Sequence, residues 1–384
     1  MMPGAAIQER SRLRLAIVHD ALLTFGGAER VIAAWHRQWP SAPIYTSVYI
    51  PDQTFPEFKE ARVVTSFLQH VTRDPQTVIR RLSPLMVPGF MSFDFSQYDV
   101  VLSSSAYAAK AIRVPKKVCH VCYCYSPLRL AWRPEDYLGP GAPWMKRVGL
   151  RLLAPLLRRW DYDVSRRVDY FGTTSQNIRK RILAAYGRSA EVIPAPVDFH
   201  RYRIHRETDD YYLVVSRLTR YKRVDLAVEA MSRLGRPIVI VGSGPDRRRL
   251  EAVAGKRATF LGNVGEEDLR ELYSRCRALL HPQEEDYGLA PLETMASGRP
   301  VVAYGVGGVR ETVIEGATGV FFAEQSVDAL VHAVQLLEAT SFDPVKIRAH
   351  ASQFALETFC DRVDAFLQQC FANFQAEPAG ASSS

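Results

Sequence analysis

Short apolar runs recur along the whole chain, separated by longer segments whose apolar positions return at helical spacing. In the first half the runs are Leu13 to His19, Ile44 to Val48, Val100 to Ser103, Val118 to Cys124, Tyr170 to Thr174 and Val192 to Pro194. In the second they are Tyr211 to Ser216, Pro237 to Val241, Thr259 to Leu261, Ala278 to His281, Val301 to Tyr304 and Val320 to Phe322. Runs that are apolar without alternation suit strands buried on both faces, and their alternation with helices predicts an α/β fold built on parallel sheets. Helical segments rich in Arg, Glu, Leu and Ala separate the second set at nearly every step, making that half the cleaner Rossmann-like unit.

Between the two series lies Ala195 to Tyr202, where Pro194 and Pro196 stop regular structure and a polar run follows. A domain boundary is expected there, with a first domain over residues 1–197 and a second over 198–356. Beyond the last expected strand, Ile347, Phe354, Phe359, Val363, Phe366, Leu367 and Phe371 mark apolar helical faces that need a surface to bury them. The tail Ala379 to Ser384 is low in complexity and is expected to fray.

Composition adds size and sign. A chain of 384 residues that is 47% hydrophobic has material for two cores. Its 49 basic against 41 acidic residues leave a net charge of +8, which favours anionic partners. The start of the chain carries Arg10, Arg12 and Arg14 but no apolar run of leader length, and no stretch is long enough for a membrane span, so a cytoplasmic protein is expected. The cluster Cys119, His120, Cys122 and Cys124 falls in an expected strand, where alternation sends Cys119 to one face and the other two thiols to the opposite face. Core cysteines are therefore expected rather than a zinc site.

Candidate chemistry concentrates after two strands of the second half. The segment Glu284 to Gly298 reads as loop and short helix, with Pro291 suited to the first helical position and Gly298 to the position after the last. The amides of Gly288 to Leu292 would then form a helix N-terminus able to hold phosphate, with Tyr287, Gly288, Leu289 and Ala290 at the donor and the carboxylates of Glu285 and Glu293 facing the same space. Arg217 and Lys222, expected at the carboxyl end of the Tyr211 to Ser216 strand, would neutralise a diphosphate. Gly242 and Gly244 would let a nucleotide approach the backbone. In the first half, Gly26 and Gly27 open a helix and would cradle phosphate, without the full dinucleotide fingerprint. Taken singly, each of these residues reads equally well as a turn glycine or a solvated charge, and their joint order carries the weight.

In that order, Gly26 to Arg30, Ser216-Arg217-Leu218 with Lys222, Gly242 to Pro245, Glu285 and Glu293, Gly298 to Ala303 and Gly307-Gly308 resemble family 4 glycosyltransferases over nearly the whole chain. The resemblance implies two Rossmann-like domains facing each other across a cleft, the GT-B fold, and a last helix from about 357 to 384 that returns to the first domain. It further implies retaining transfer from a nucleoside diphosphate sugar, with no metal and no bound cofactor. On that pattern Arg217, Lys222 and Glu285 serve the reaction and Glu293 the ribose. GDP-mannose is the first donor to expect, with a polysaccharide or lipid-linked oligosaccharide as acceptor and no nucleic acid as partner. One departure concerns Tyr123 to Arg129, where Tyr125 stands in place of a histidine found in similar enzymes; Tyr125 and Arg129 are the acceptor-side candidates.

Two other functions fit the same motifs. A nucleotide-sugar epimerase would turn over donor without acceptor, and a non-catalytic assembly protein would bind donor without turnover. Asp161-Tyr162-Asp163 resembles a metal-binding acidic motif but lies in an Arg-rich helical pattern, and so is expected on a solvated helix face. The basic segment Trp144 to Trp160 is amphipathic, with Arg147, Arg151 and Arg158 on one face and Leu150, Leu153 and Leu157 on another, and is a candidate for peripheral contact with the anionic inner face of a membrane.

Overall fold

The computed structural model describes residues 13–71, 74, 77, 81–134 and 143–376; Arg10, Arg12 and the tail Ala379 to Ser384 lie outside them. The first sheet contains β1 (Leu15–His19), β2 (Ile44–Thr46), β3 (Val63–Thr65), β4 (Val100–Ser105), β5 (Cys119–Cys124), β6 (Tyr170–Thr173) and β7 (Glu191–Val192). The second contains β8 (Tyr212–Val215), β9 (Ile238–Val241), β10 (Ala258–Gly262), β11 (Ala278–His281), β12 (Val301–Tyr304) and β13 (Gly319–Phe322). Their orders are β3-β2-β1-β4-β5-β6-β7 and β10-β9-β8-β11-β12-β13, parallel throughout. These are two doubly wound sheets of the Rossmann kind. β3 is the strand that the apolar pattern did not reveal. It is short, half-buried and at the sheet edge, and only its register on β2 (Ile44 opposite Val63, Thr46 opposite Thr65) makes it a strand.

The chain divides into two compact units, one closing around the first sheet and taking in the final helix from Glu357, the other comprising Ala195–Leu356 with Ser175–Asn177. In the second unit, Tyr212, Val214, Ile240, Leu280 and Val302 from the strands pack with Leu226, Met231, Leu330 and Val334 from the helices Val224–Leu234 and Val327–Ala339. Gly235, at φ 63°, ends the first of these helices, and the Ser326 side chain caps the start of the second by accepting the Ala329 amide. Burying each such aliphatic side chain is worth about 1.5–3 kcal/mol. In the first unit, the helix Leu356–Ala376 buries Phe359, Val363 and Leu367, and Phe359 lies edge-on to Tyr123 with ring centroids 6.0 Å apart. Phe366 comes within 3.2 Å of where a side chain on Gly172 would begin, so a larger residue there would have to displace the ring by a few tenths of an ångström. Ile347 and Phe354, from the same apolar series, are instead buried in the second unit.

The acidic triplet in the helix Trp144–Ser165 departs from the expectation of a solvated face. Asp161 is fully buried: its Oδ2 accepts from the Leu128 amide (3.1 Å), Trp132 Nε1 (2.8 Å) and Tyr186 Oη (2.7 Å). Lys110 Nζ, also fully buried, lies 2.9 Å from Asp161 Oδ1, placed as a charge contact rather than an aligned hydrogen bond. Burial by itself would lower the Lys110 ammonium, but the Asp161 charge outweighs it with help from the neighbouring Cys124 and Cys122, and the net shift is upward. Position 161 shares a helical face with the buried Ala154 and Val164, which is why it turns inward. Asp163 remains exposed beside Arg159. Cys119, Cys122 and Cys124 are buried and take part in no disulfide.

Two buried histidines set an acid limit on stability. His120 in β5 is held by Ser103 Oγ at 2.8 Å and the Arg167 carbonyl at 3.0 Å, and burial pushes it down to about 4 from 6.5. His281 at the end of β11 is likewise pushed down by burial to about 4. Both are neutral in the folded protein, whereas the unfolded chain takes up their protons below pH 6.5. Stability is therefore full above that pH and falls between pH 6.5 and 4, by about 3 kcal/mol for each histidine across the window. Urea unfolding midpoints measured from pH 7 to 4.5 should drop accordingly; a flat profile would refute it.

Candidate functional site

In the second sheet β8 and β11 are neighbours from which the chain winds in opposite directions, and the loops after these two strands therefore meet at the carboxyl edge where such sheets bind ligands. The loop after β8 carries Arg217 and Lys222, and the loop after β11 carries Glu285. Lys222 ends a short 3-10 turn, Arg220–Lys222, and is followed by Arg223 at φ 50°, the single non-glycine residue with positive φ among those described. This turn buries the Lys222 side chain and brings its Nζ to 2.5 Å from Glu285 Oε1. Arg217 is exposed, its Nη2 donating to Tyr221 Oη at 3.2 Å.

Glu285 is half-buried. Burial would raise its carboxyl, but the Lys222 charge and then His281 and Gln283 pull it down to about 2, so it is ionised at any working pH. Gln283 Nε2 lies 3.2 Å from Glu285 Oε2 and 3.1 Å from His281 Nδ1. His281 Nε2 lies 3.3 Å from Glu285 Oε2, a contact that is not an aligned hydrogen bond, and among the described residues the buried Gln283 Oε1 has no hydrogen-bond partner, which leaves that oxygen unsatisfied until something polar arrives. His281 and Gln283 were not among the residues singled out from sequence. The signal that pointed to them was positional, the end of a strand at the winding reversal.

The glycines after β9 have a role within the fold. A side chain on Gly242 would begin 2.0 Å from the Ser216 carbonyl oxygen, and one on Gly244 2.2 Å from that of Leu218. The backbone that these residues admit is the chain's own, since the loop after β9 is pressed against the loop that carries Arg217. Gly307 and Gly308 do the same beneath Glu285, with the Gly308 amide donating to the Glu285 carbonyl at 2.8 Å. Both carriers of the charged groups are thus braced by a neighbouring loop.

Gly288, at φ 93°, precedes the helix Leu289–Ala296, so Leu289 takes the first helical position and Pro291 the third rather than the first. Gly298, at φ 75°, lies just beyond its end. Leu289 and Ala290 are partly open in the first turn, while Tyr287 is buried and donates from its hydroxyl to the Ala195 carbonyl at 2.7 Å. Glu293 lies one turn deeper than expected, buried and accepting from Tyr273 Oη at 2.7 Å. The two carboxylates thus have different protein partners.

In the first unit the corresponding winding reversal falls between β1 and β4. Gly26 precedes the helix Gly27–Gln38, and the carboxylate of Glu29 folds back over it, accepting from Thr24 Oγ1 at 2.9 Å. A protein carboxylate therefore stands beside the position where Gly26 and Gly27 were expected to cradle phosphate. Asp20 gathers the amides of Ala106, Tyr107, Ala108 and Ala109 within 2.6–2.9 Å and fixes the loop after β4. Ser104 Oγ donates to Tyr125 Oη at 3.0 Å and lies 3.1 Å from His19 Nδ1, and Tyr125 Oη reaches the Ala28 carbonyl at 3.4 Å. Burial pushes the Tyr125 phenol up, which keeps it protonated and a hydrogen-bond donor at neutral pH. Arg129 opens the short helix Arg129–Trp132 and is half-buried. Among the described residues no three His, Cys, Asp or Glu side chains are grouped to hold a metal ion.

A model of glycosyltransferase family 4 matches residues 25–201, and a model of glycosyl transferases group 1 matches residues 198–356. The chain is 29% identical over 209 residues to a D-rhamnosyltransferase of Pseudomonas aeruginosa, covering 50% of this chain and 55% of that protein. It is 30% identical over 182 residues to a D-inositol 3-phosphate glycosyltransferase of Mycobacterium bovis, covering 42% and 38%. The chain thus matches about half or less of the length of these relatives. Among solved structures, the Anabaena protein HepE in complex with UDP and glucose superposes with a TM-score of 0.70 at 17% identity, over 93% of this chain and 100% of that one. Sucrose-phosphate synthase from Thermosynechococcus elongatus does so at 0.67 and 19%, over 94% and 100%. At such identities the likeness is one of fold, and it agrees with the two doubly wound sheets. Because the two family models meet near residue 200 and together span residues 25–356, the second of them holding the loops after β8 and β11, the chain belongs to the family 4 glycosyltransferases of the GT-B fold.

Proposed function

We propose that this protein transfers a hexose from a nucleoside diphosphate sugar to a glycan or lipid-linked acceptor, with retention at the anomeric carbon. The observation that carries the proposal is the Lys222–Glu285 pair at the winding reversal of the second sheet, a buried ammonium against a half-open carboxylate, beside the buried Gln283 Oε1 that lacks a hydrogen-bond partner among the described residues. When the bond between the anomeric carbon and the phosphate oxygen breaks, negative charge grows on the diphosphate. Lys222 and Arg217 are the cations placed to stabilise it, an effect worth most for a group held in position beforehand. Glu285, ionised and half-open, accepts hydrogen bonds from sugar hydroxyls, and Gln283 and His281 supply further polar groups. The Leu289–Ala296 helix offers its first-turn amides to phosphate. Tyr125 is protonated at neutral pH and so is no base; the resemblance to retaining family 4 enzymes gives the acceptor's proton to the departing phosphate.

GDP-mannose remains the first donor to test, with UDP-glucose beside it because UDP and glucose accompany the Anabaena neighbour. The test is thermal unfolding with each nucleotide and sugar nucleotide, followed by product analysis with and without acceptor, in EDTA and with added magnesium or manganese. A matched donor at 100 times its Kd should stabilise by about 2.7 kcal/mol. Transfer should require acceptor and survive EDTA. Conversion of donor alone would show an epimerase instead, and donor binding without any turnover would show an assembly protein.

A further inference from the structure

We propose that the outward face of the helix Trp144–Ser165 docks the protein on an anionic lipid surface, lying flat in the headgroup layer. The inference goes beyond the proposed transfer reaction and stands independently of it. Met145, Val148, Leu152 and Leu156 recur at helical spacing and so share one side of the helix. They are open to solvent, Leu152 by 72%, Leu156 by 69% and Met145 by 66%, and Trp144 at the start of the helix is exposed by 72%. The opposite side belongs to the protein: Ala154, Asp161 and Val164 are buried there, with Leu150 and Leu157 half-buried beside them. Leu150 and Leu157, part of the apolar face expected from sequence, are thus spent on the first unit, and a second apolar face remains. A row of large apolar side chains standing in water is unusual on a protein surface and marks an interaction site.

Charge selects the partner. From Trp144 to Trp160 the sequence holds Lys146, Arg147, Arg151, Arg158 and Arg159 and no Asp or Glu. Arg158 donates to the Ala131 carbonyl and lies over the Trp132 ring, and Arg159 is shared with Asp163. Arg151 is exposed on the flank of the apolar stripe and Arg147 is exposed further round toward the packed side, and neither has an acidic partner among the described residues. A second copy meeting the same face would bring these like charges together. A layer of anionic headgroups answers both features at once, taking the leucines toward the acyl boundary and the guanidinium groups against phosphate. Among the described residues no helix is long and apolar enough to cross a membrane, so the contact is one of surface attachment.

The experiment is co-sedimentation of the full chain with vesicles of phosphatidylcholine alone and of phosphatidylcholine mixed equally with phosphatidylglycerol. Binding is expected to the mixed vesicles and to weaken as salt screens the charges. The double variant Leu152→Ser, Leu156→Ser should bind them at least about tenfold more weakly, and Arg147→Gln, Arg151→Gln should lose the preference for phosphatidylglycerol. Both variants alter exposed positions and should keep the wild-type thermal midpoint. Wild type that ignores both vesicles overturns the proposal, as does serine-variant binding equal to wild type. Concentration-dependent dimers abolished by the serine changes, without vesicle binding, would assign the face to self-association instead.

Discussion

Lys222→Ala should lower kcat by about two to three orders of magnitude, the loss seen when one preorganised donor to a developing anion is removed, equivalent to about 2.7–4 kcal/mol. Lys222 is buried against Glu285, so its charge is fixed before substrate arrives and needs no reorganisation as the diphosphate departs. Removing it also leaves the Glu285 carboxylate without the cation that does most to pull its pKa down to about 2, so that pKa should rise. A second signature follows: activity of the variant should acquire an acid limb in the ordinary carboxylate range that wild type lacks. Arg217→Ala should reduce kcat as well, with a smaller structural disturbance, since Arg217 is exposed and its side chain donates to Tyr221 Oη. Acceptor KM should change little in either variant. Turnover at the wild-type rate in both, in an assay that responds to donor, would remove these residues from the reaction.

Asp161→Ala is expected to destabilise the first unit by about 3–5 kcal/mol, the usual result of leaving one partner of a buried ion pair alone. Lys110 would keep a buried charge with no counter-ion, and Trp132 Nε1, Tyr186 Oη and the Leu128 amide would lose their shared acceptor. Asp163→Ala, two residues away on the exposed side, should fall within about 0.5 kcal/mol of wild type. Replacing both charges, as Lys110→Met with Asp161→Leu, should recover much of the loss, because the desolvation cost of the pair disappears with it. Urea unfolding of the four proteins provides the comparison. Equal midpoints for Asp161→Ala and Asp163→Ala would show that the buried pair adds nothing to stability.

The contrast between Asp161 and Asp163 also shows where local pattern stops being informative. An Arg-rich helical stretch places both residues on a helix but does not say which side faces the core, since the apolar positions around them supply two candidate faces. The same ambiguity left open whether the face of Leu150, Leu153 and Leu157 meets lipid or core, and overlooked the stripe of Met145, Val148, Leu152 and Leu156. A helix whose two opposite sides are both apolar cannot be oriented without knowing what packs against it.

At the candidate site the division falls between spacing and partnership. The chain's own order of apolar runs, with Pro194 and Pro196 between the two series, determined that there would be two parallel α/β sheets, and a buried strand needs only its own residues to declare itself. It also placed Arg217, Lys222, Glu285 and Gly288 just beyond strand ends, because loops after strands are local features. What only tertiary structure decided is which of these groups meet. Lys222 and Glu285 are separated by 63 residues and come together because β8 and β11 are adjacent at the winding reversal, a pairing that no local pattern encodes. The glycines make the same point: at Gly242 and Gly244 close backbone approach was expected from sequence, but the approaching backbone, that of Ser216 and Leu218, was set by strand order. Conformational preference acts within a few residues, whereas desolvation and ion pairing act between whatever the fold brings into contact, and that is why His281 and Gln283 became visible as site residues only once the sheet had been assembled.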